Sequence, residues 1–104
     1  MQVTSQDRIE GKEITETLGI ARGNVVRARF FGRDILAGLR MIVGGEVVEY
    51  TKLMAEAREQ AMDRMLKNAE SMGADAVVTI RFTTSMVMQG AAEILVTGTA
   101  VKLR

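Results

Sequence analysis

The stretch from Glu46 to Met72 constrains this chain more than any other feature. At 100° per residue, Val47, Tyr50, Met54, Ala61, Met65, Ala69 and Met72 gather on one side, while Glu49, Lys52, Glu56, Asp63, Lys67 and Glu70 gather on the other. Ala55, Ala57, Ala61 and Ala69 are strong helix formers, Glu46 and Glu49 suit the positive end of the helix dipole, and Gly73 is a natural residue just past the C-terminus. A helix that is apolar on one side only must lie against something. In a chain of 104 residues, that partner is whatever the remaining segments build.

Those segments read as strands. Ile14 to Ile20 and Asn24 to Phe30 are rich in β-branched residues, and Ala21-Arg22-Gly23-Asn24 between them carries turn chemistry, so a β-hairpin is expected. Phe31 to Val43 reads as a short helix, with Ile35, Leu36, Leu39 and Ile42 near helical spacing, stopped by Gly44-Gly45. Ala76 to Phe82 and Ala92 to Leu103 read as two further strands in an antiparallel sheet, apolar enough to be covered on both faces. The expected fold is a single α+β domain over residues 1–104, with residues 1–12 a loose N-terminal arm. Its core should set Met54, Ala61, Met65, Ala69 and Met72 against Val78, Ile80, Ile94 and Val96.

Composition narrows the chemistry. The chain has no cysteine, histidine, tryptophan or proline, which removes disulfides, thiolate nucleophiles, histidine bases and Cys/His zinc sites. Only carboxylates, Lys/Arg, Ser/Thr and Tyr50 remain, and no base stands beside an orienting partner, so the reading is of a non-enzyme without a cofactor. Four aromatic residues, Phe30, Phe31, Tyr50 and Phe82, and eight methionines suggest a core that lies partly between subunits. The polar start of the chain and the lack of an apolar run near the roughly 18 residues of a membrane span imply a cytoplasmic protein with no membrane partner.

Three clusters invite a chemical reading. Residues 20–45 hold Arg22, Arg27, Arg29, Arg33 and Arg40 against Asp34, the composition of a phosphate or nucleic-acid patch. With few aromatics to stack on bases and no helix-turn-helix pattern, nucleic acid is not the expected partner; strand arginines facing water and pairing with nearby acids account for the run. The acidic helix face is interleaved with Lys52, Arg64 and Lys67, giving i,i+4 pairs rather than a converging cation site. Met62-x-x-Met65 and Met86-x-Met88 are thioether pairs of the kind that Cu(I) accepts, but a helical methionine stripe is ordinarily core. Arg58 falls inside the apolar arc and must snorkel or find a carboxylate, for which Glu93 or an acid of a neighbouring subunit is the candidate.

Three segments together carry a resemblance: Gly32-Arg-Asp-Ile-Leu-Ala-Gly-Leu-Arg40 with Ile42-Val-Gly-Gly-Glu46; Glu49-Tyr-Thr-Lys-Leu-Met54 leading into Ala57-Arg-Glu-Gln-Ala61; and Gly73-Ala-Asp-Ala-Val-Val78 with Thr84 to Glu93 and Gly98-Thr-Ala-Val101. Over about residues 11–102 the chain is similar to the YbjQ-type family of bacterial and archaeal proteins, often labelled "putative heavy-metal-binding". Lys12, where an aromatic or Gln is common, and Thr79, where Gly is usual, depart from the family pattern. The resemblance implies a dodecin-like subunit in a homopentameric ring and no established activity. Two functions are then open: a non-enzymatic ring-forming module for a small ligand or protein partner, or a metal-ion-binding protein with ligands from several subunits. Arg58, Glu93, Glu46, Glu49 and Tyr50 are the ligand or interface candidates, each multiplied by a ring's symmetry. No metal ligand is assigned.

Overall fold

A computed structural model describes residues 1–28, 47–88 and 91–104 of the chain, an α+β fold. The elements are β1 (Gln2–Val3), β2 (Ile14–Ala28), α1 (Val47–Ser71), β3 (Ala76–Met88) and β4 (Ala91–Leu103). The sheet runs β1-β3-β4-β2, with α1 lying mainly across β2 and β4. β4 pairs antiparallel with both β2 and β3, as expected of the C-terminal strands, but β1 pairs parallel with β3, so the sheet is mixed. The short helix expected at Phe31 to Val43 lies outside the described residues.

The helix follows its amphipathic pattern closely. Ala57, Ala61, Met65 and Ala69 are fully buried, while Met54 and Met72 are half-buried at the margins. The buried stripe therefore repeats every four residues and drifts about 40° per repeat round the wheel, so at its N-terminal end it lies nearest Ala57. Arg58 lies about 100° round from Ala57 and is exposed. Gly73 closes the helix at φ +82°, its N–H donating to Glu70 O at 2.9 Å, and Ala74 N–H reaches Ala69 O at 3.2 Å.

The expected turn at Ala21-Arg22-Gly23-Asn24 is not formed. β2 runs through it unbroken and pairs with β4 from Ile14 to Ala28. Gly23 serves close approach instead: a Cβ there would stand 2.3 Å from both Ala61 O and Met65 N. Only a glycine lets the helix backbone settle onto the strand. Nor do residues 1–12 hang loose throughout. Thr4 N–H donates to Val77 O (3.1 Å), Thr79 N–H to Gln6 O (2.7 Å) and Ile80 N–H to Thr4 O (3.1 Å), fastening the first residues along the edge of β3.

Thr79 has φ 54°, a left-handed conformation that costs a β-branched residue free energy. It sits in a break of the β3–β4 register between Val78 and Arg81, which marks a bulge. One extra residue inverts the alternation of the strand. Val77 and Ile80 consequently share the helix-side core with Ala21, Val25, Ile94 and Val96. Val78, expected in that core, packs instead with Ala76, Val101, Ile9, Ile14 and Leu103 in a smaller cluster.

Candidate functional site

The sheet face that the helix leaves uncovered can be read in cross-strand rows, because directly paired residues point the same way. Ile20 pairs with Thr99; Arg22 and Arg81 both pair with Thr97; Asn24 and Thr83 both pair with Leu95; Val26 and Ser85 both pair with Glu93. Asn24 Nδ2 donating to Glu93 Oε2 at 3.1 Å fits this common face.

At the bulge, this face carries a shallow hollow of about 280 Å³ lined by Ile20, Thr79, Arg81, Thr97, Gly98 and Thr99. Gly98 lines the hollow with backbone only; on the opposite, helix-side face a Cβ there would meet Val77 Cγ1 at 2.4 Å, so the glycine lets β4 approach β3 at the bulge. Arg81 is held at the rim by Nη1, which donates to Ser5 O (3.2 Å) and Ile80 O (3.0 Å). Both acceptors are neutral carbonyls. Among the described residues the one ion pair is Arg104 with Glu13 at 2.7 Å, so no described carboxylate neutralises Arg22 or Arg81.

The two long edges of the sheet differ. On β2 the helix supplies side chains to the strand backbone: Asn68 Oδ1 accepts from Arg22 N–H (2.9 Å), and Arg64 Nη1 donates to Asn24 O (2.7 Å). On β3 the bonds from the N-terminal residues end at Ile80. From Phe82 to Val87 the strand pairs with β4 alone among the described residues, carries no charge and is exposed throughout. Met86 is 80% and Val87 53% exposed. The sequence reading ended this strand at Phe82; the β-branched run Val77-Val78-Thr79-Ile80 continuing into Thr83-Thr84 was the signal for a longer one.

The candidates read from sequence are not drawn together. Glu93 faces the uncovered side and accepts from Asn24, while Arg58 stands exposed on the helix on the other side, so the pair is not made within one chain. Glu49 and Tyr50 lie in the first turn of α1, and their side chains, like all of Glu46, lie outside what is described. Met65 is buried in the core with Met62 packed against it, so that methionine pair is core. The hollow at Arg81 was missed because its parts, Ile20, Thr79 to Arg81 and Thr97 to Thr99, meet only once the register is known.

No three His, Cys, Asp or Glu residues converge among the described residues, and the chain has no Cys or His. The soft donors that a heavy-metal ion prefers are thus reduced to thioethers, and the residues of one subunit do not fit such an ion. No helix among the described residues is long and apolar enough to cross a membrane.

Comparison with known proteins gives a consistent picture. A family model described as "Putative heavy-metal-binding" matches residues 1–104. A UPF0145 protein of Methanosarcina acetivorans is 60% identical over 103 residues, covering 99% of this chain and 97% of the relative. One from Halorubrum lacusprofundi is 56% identical with full coverage of both chains, and one from Photobacterium profundum is 58% identical over 97% of each. The crystal structure of a DUF74-family protein of unknown function from Pediococcus pentosaceus superposes with a TM-score of 0.68, over 100% of this chain and 98% of that one. At 12% identity, that likeness is one of fold.

Proposed function

This chain belongs to the YbjQ-type family, the one described as "Putative heavy-metal-binding", and on that premise we propose that it is a non-enzymatic subunit of a closed homo-oligomeric ring. The ring is a pentamer of dodecin-like subunits, as the resemblance implies, working in the cytoplasm. Its inter-subunit surfaces hold a small ligand or a protein partner. The observation that carries this reading is the unfinished surface of one subunit. Its radius of gyration is 17.2 Å and its extents 54 × 21 × 16 Å, against about 13 Å for a compact chain of this length. Its accessible area is 6989 Å², about 1,200 Å² more than a monomeric protein of this mass exposes.

Ile20, Val26, Phe82, Met86 and Val87 are exposed apolar side chains, and the β3 edge from Phe82 onward is uncharged. An open edge without charge, proline or cover pairs with whatever strand it meets, so a soluble protein covers it. A standard interface buries about 800 Å² per partner, which the excess area supplies.

The second reading, metal binding, is favoured by the family description alone. It requires carboxylates or thioethers from several subunits around the axis. Light scattering at low micromolar concentration tests the first reading: a mass that is a multiple of 11.4 kDa is expected, and a monomer overturns the ring. Elemental analysis and calorimetric titration with Cu(I), Zn²⁺ and Ca²⁺ test the second, which ends if no stoichiometric metal and no heat of binding are found.

A further inference from the structure

The geometry points to an oxyanion site on the uncovered sheet face, where Arg22 and Arg81 flank Thr97 beside the hollow at the bulge, with phosphate or a small phosphate monoester as the ligand. This rests on the binding role proposed above and gives that role a ligand class. Arg22 in β2 and Arg81 in β3 both pair with Thr97 in β4, so the two guanidinium stems rise from one row. Two strand spacings separate them, about 10 Å at the backbone, a gap that two long side chains close onto one tetrahedral anion. Among the described residues Arg81 spends only Nη1, on the carbonyls of Ser5 and Ile80, which leaves Nε and Nη2 as donors in the fixed fork that suits phosphate. Those two bonds hold the guanidinium on the Ser5 side of β3, and a charged oxyanion draws it back over the row by outcompeting two neutral carbonyls.

The hollow beside this row suits the organic part of a phosphate monoester. Thr97 and Thr99 offer hydroxyls, while Ile20 and the bare backbone of Gly98 offer an apolar floor for a few carbon atoms. The nearest described carboxylate on these rows, Glu93, lies four residues along β4 from Thr97 and is engaged by Asn24. The row is therefore cationic, the opposite of a divalent-cation site. The arginine excess of residues 20–45 finds a use here for one member, Arg22, through a partner 59 positions further along the chain.

The test is titration of the full chain with inorganic phosphate and with phenyl phosphate in low-chloride buffer, read by ³¹P line width and calorimetry, with light scattering on the same samples. Saturable binding of both is expected, phenyl phosphate being the tighter. Arg22→Gln and Arg81→Gln should each weaken it about tenfold, while Lys67→Gln, on the exposed helix side, leaves it unchanged. Non-saturating uptake, or saturable uptake indifferent to both arginine changes, overturns the site. If wild type takes up no phosphate and Arg81→Gln dissociates the assembly, the guanidinium serves a neighbouring subunit's carboxylate; the oxyanion site then fails while the ring stands. Saturable binding by a monomer does the reverse.

Discussion

Thr79→Gly should make this protein more stable, although it deletes a side chain and adds a glycine to a strand. Thr79 occupies φ 54°, and a β-branched residue held there stores about 1–3 kcal/mol. Glycine adopts the same angle without strain but loses more freedom on folding, at a cost of about 0.5–1 kcal/mol. The side chain is only half-buried, so little apolar contact is lost. Its backbone bond to Gln6 O, at 2.7 Å, does not depend on the side chain. The balance is a gain of about 0.5–2 kcal/mol. Urea unfolding at one fixed protein concentration reads it as a higher midpoint with unchanged slope. Thr79→Val, which keeps a branched side chain at the same angle, should show no gain. A Thr79→Gly protein destabilised by about 1 kcal/mol or more would refute the strain argument, because the side chain would then be contributing contacts that outweigh it.

Gly23→Ala should cost about 1–3 kcal/mol despite favouring the strand, since the new methyl meets helix backbone at 2.3 Å and only retreat of α1 relieves it; an unchanged urea midpoint would mean the helix is not seated there. Met65→Ala, at a fully buried position, should cost about 2–5 kcal/mol by leaving a cavity. Exposed Glu56→Ala should cost under about 0.5 kcal/mol in the same assay, and equal small effects would put the wrong helix face inward. Val87→Lys, which places a charge on the open β3 edge, should lower the light-scattering mass toward 11.4 kDa with circular dichroism unchanged; retention of the full oligomer would remove that edge from the interface.

The elements legible in the sequence are those whose signals are local. The helix announced itself through its period, and Gly73 through its place after the last turn. The two C-terminal strands did so through β-branched runs. Gly23 was misread because a glycine between two strand-like runs has two physical meanings, a turn and a close approach, and only the helix packed against it decides. Arg58 was misplaced by a smaller error of the same kind. The apolar arc of the wheel was drawn as one fixed direction for the whole helix, whereas the fully buried stripe of Ala57, Ala61, Met65 and Ala69 turns along it and leaves Arg58 outside.

The oxyanion row was beyond sequence reading for a reason that lies in the bulge itself. With strict alternation from Val77, positions 79 and 81 would turn toward the helix and Ile80 would turn to solvent. That arrangement would drive the Arg81 guanidinium into a core of alanine, valine and isoleucine, where an uncompensated charge is not tolerated. The extra residue reverses both outcomes at once, burying Ile80 to 8% exposure and bringing Arg81 to the rim of the hollow beside Thr97. The strain at Thr79 is thus the local cost of a parity change that the core requires and the candidate site uses. Among the described residues the open edge begins at the next residue, Phe82. Strain, cationic row and uncovered strand are contiguous among the described residues over Thr79 to Val87, so the proposed ligand site and the proposed subunit contact adjoin on one strand.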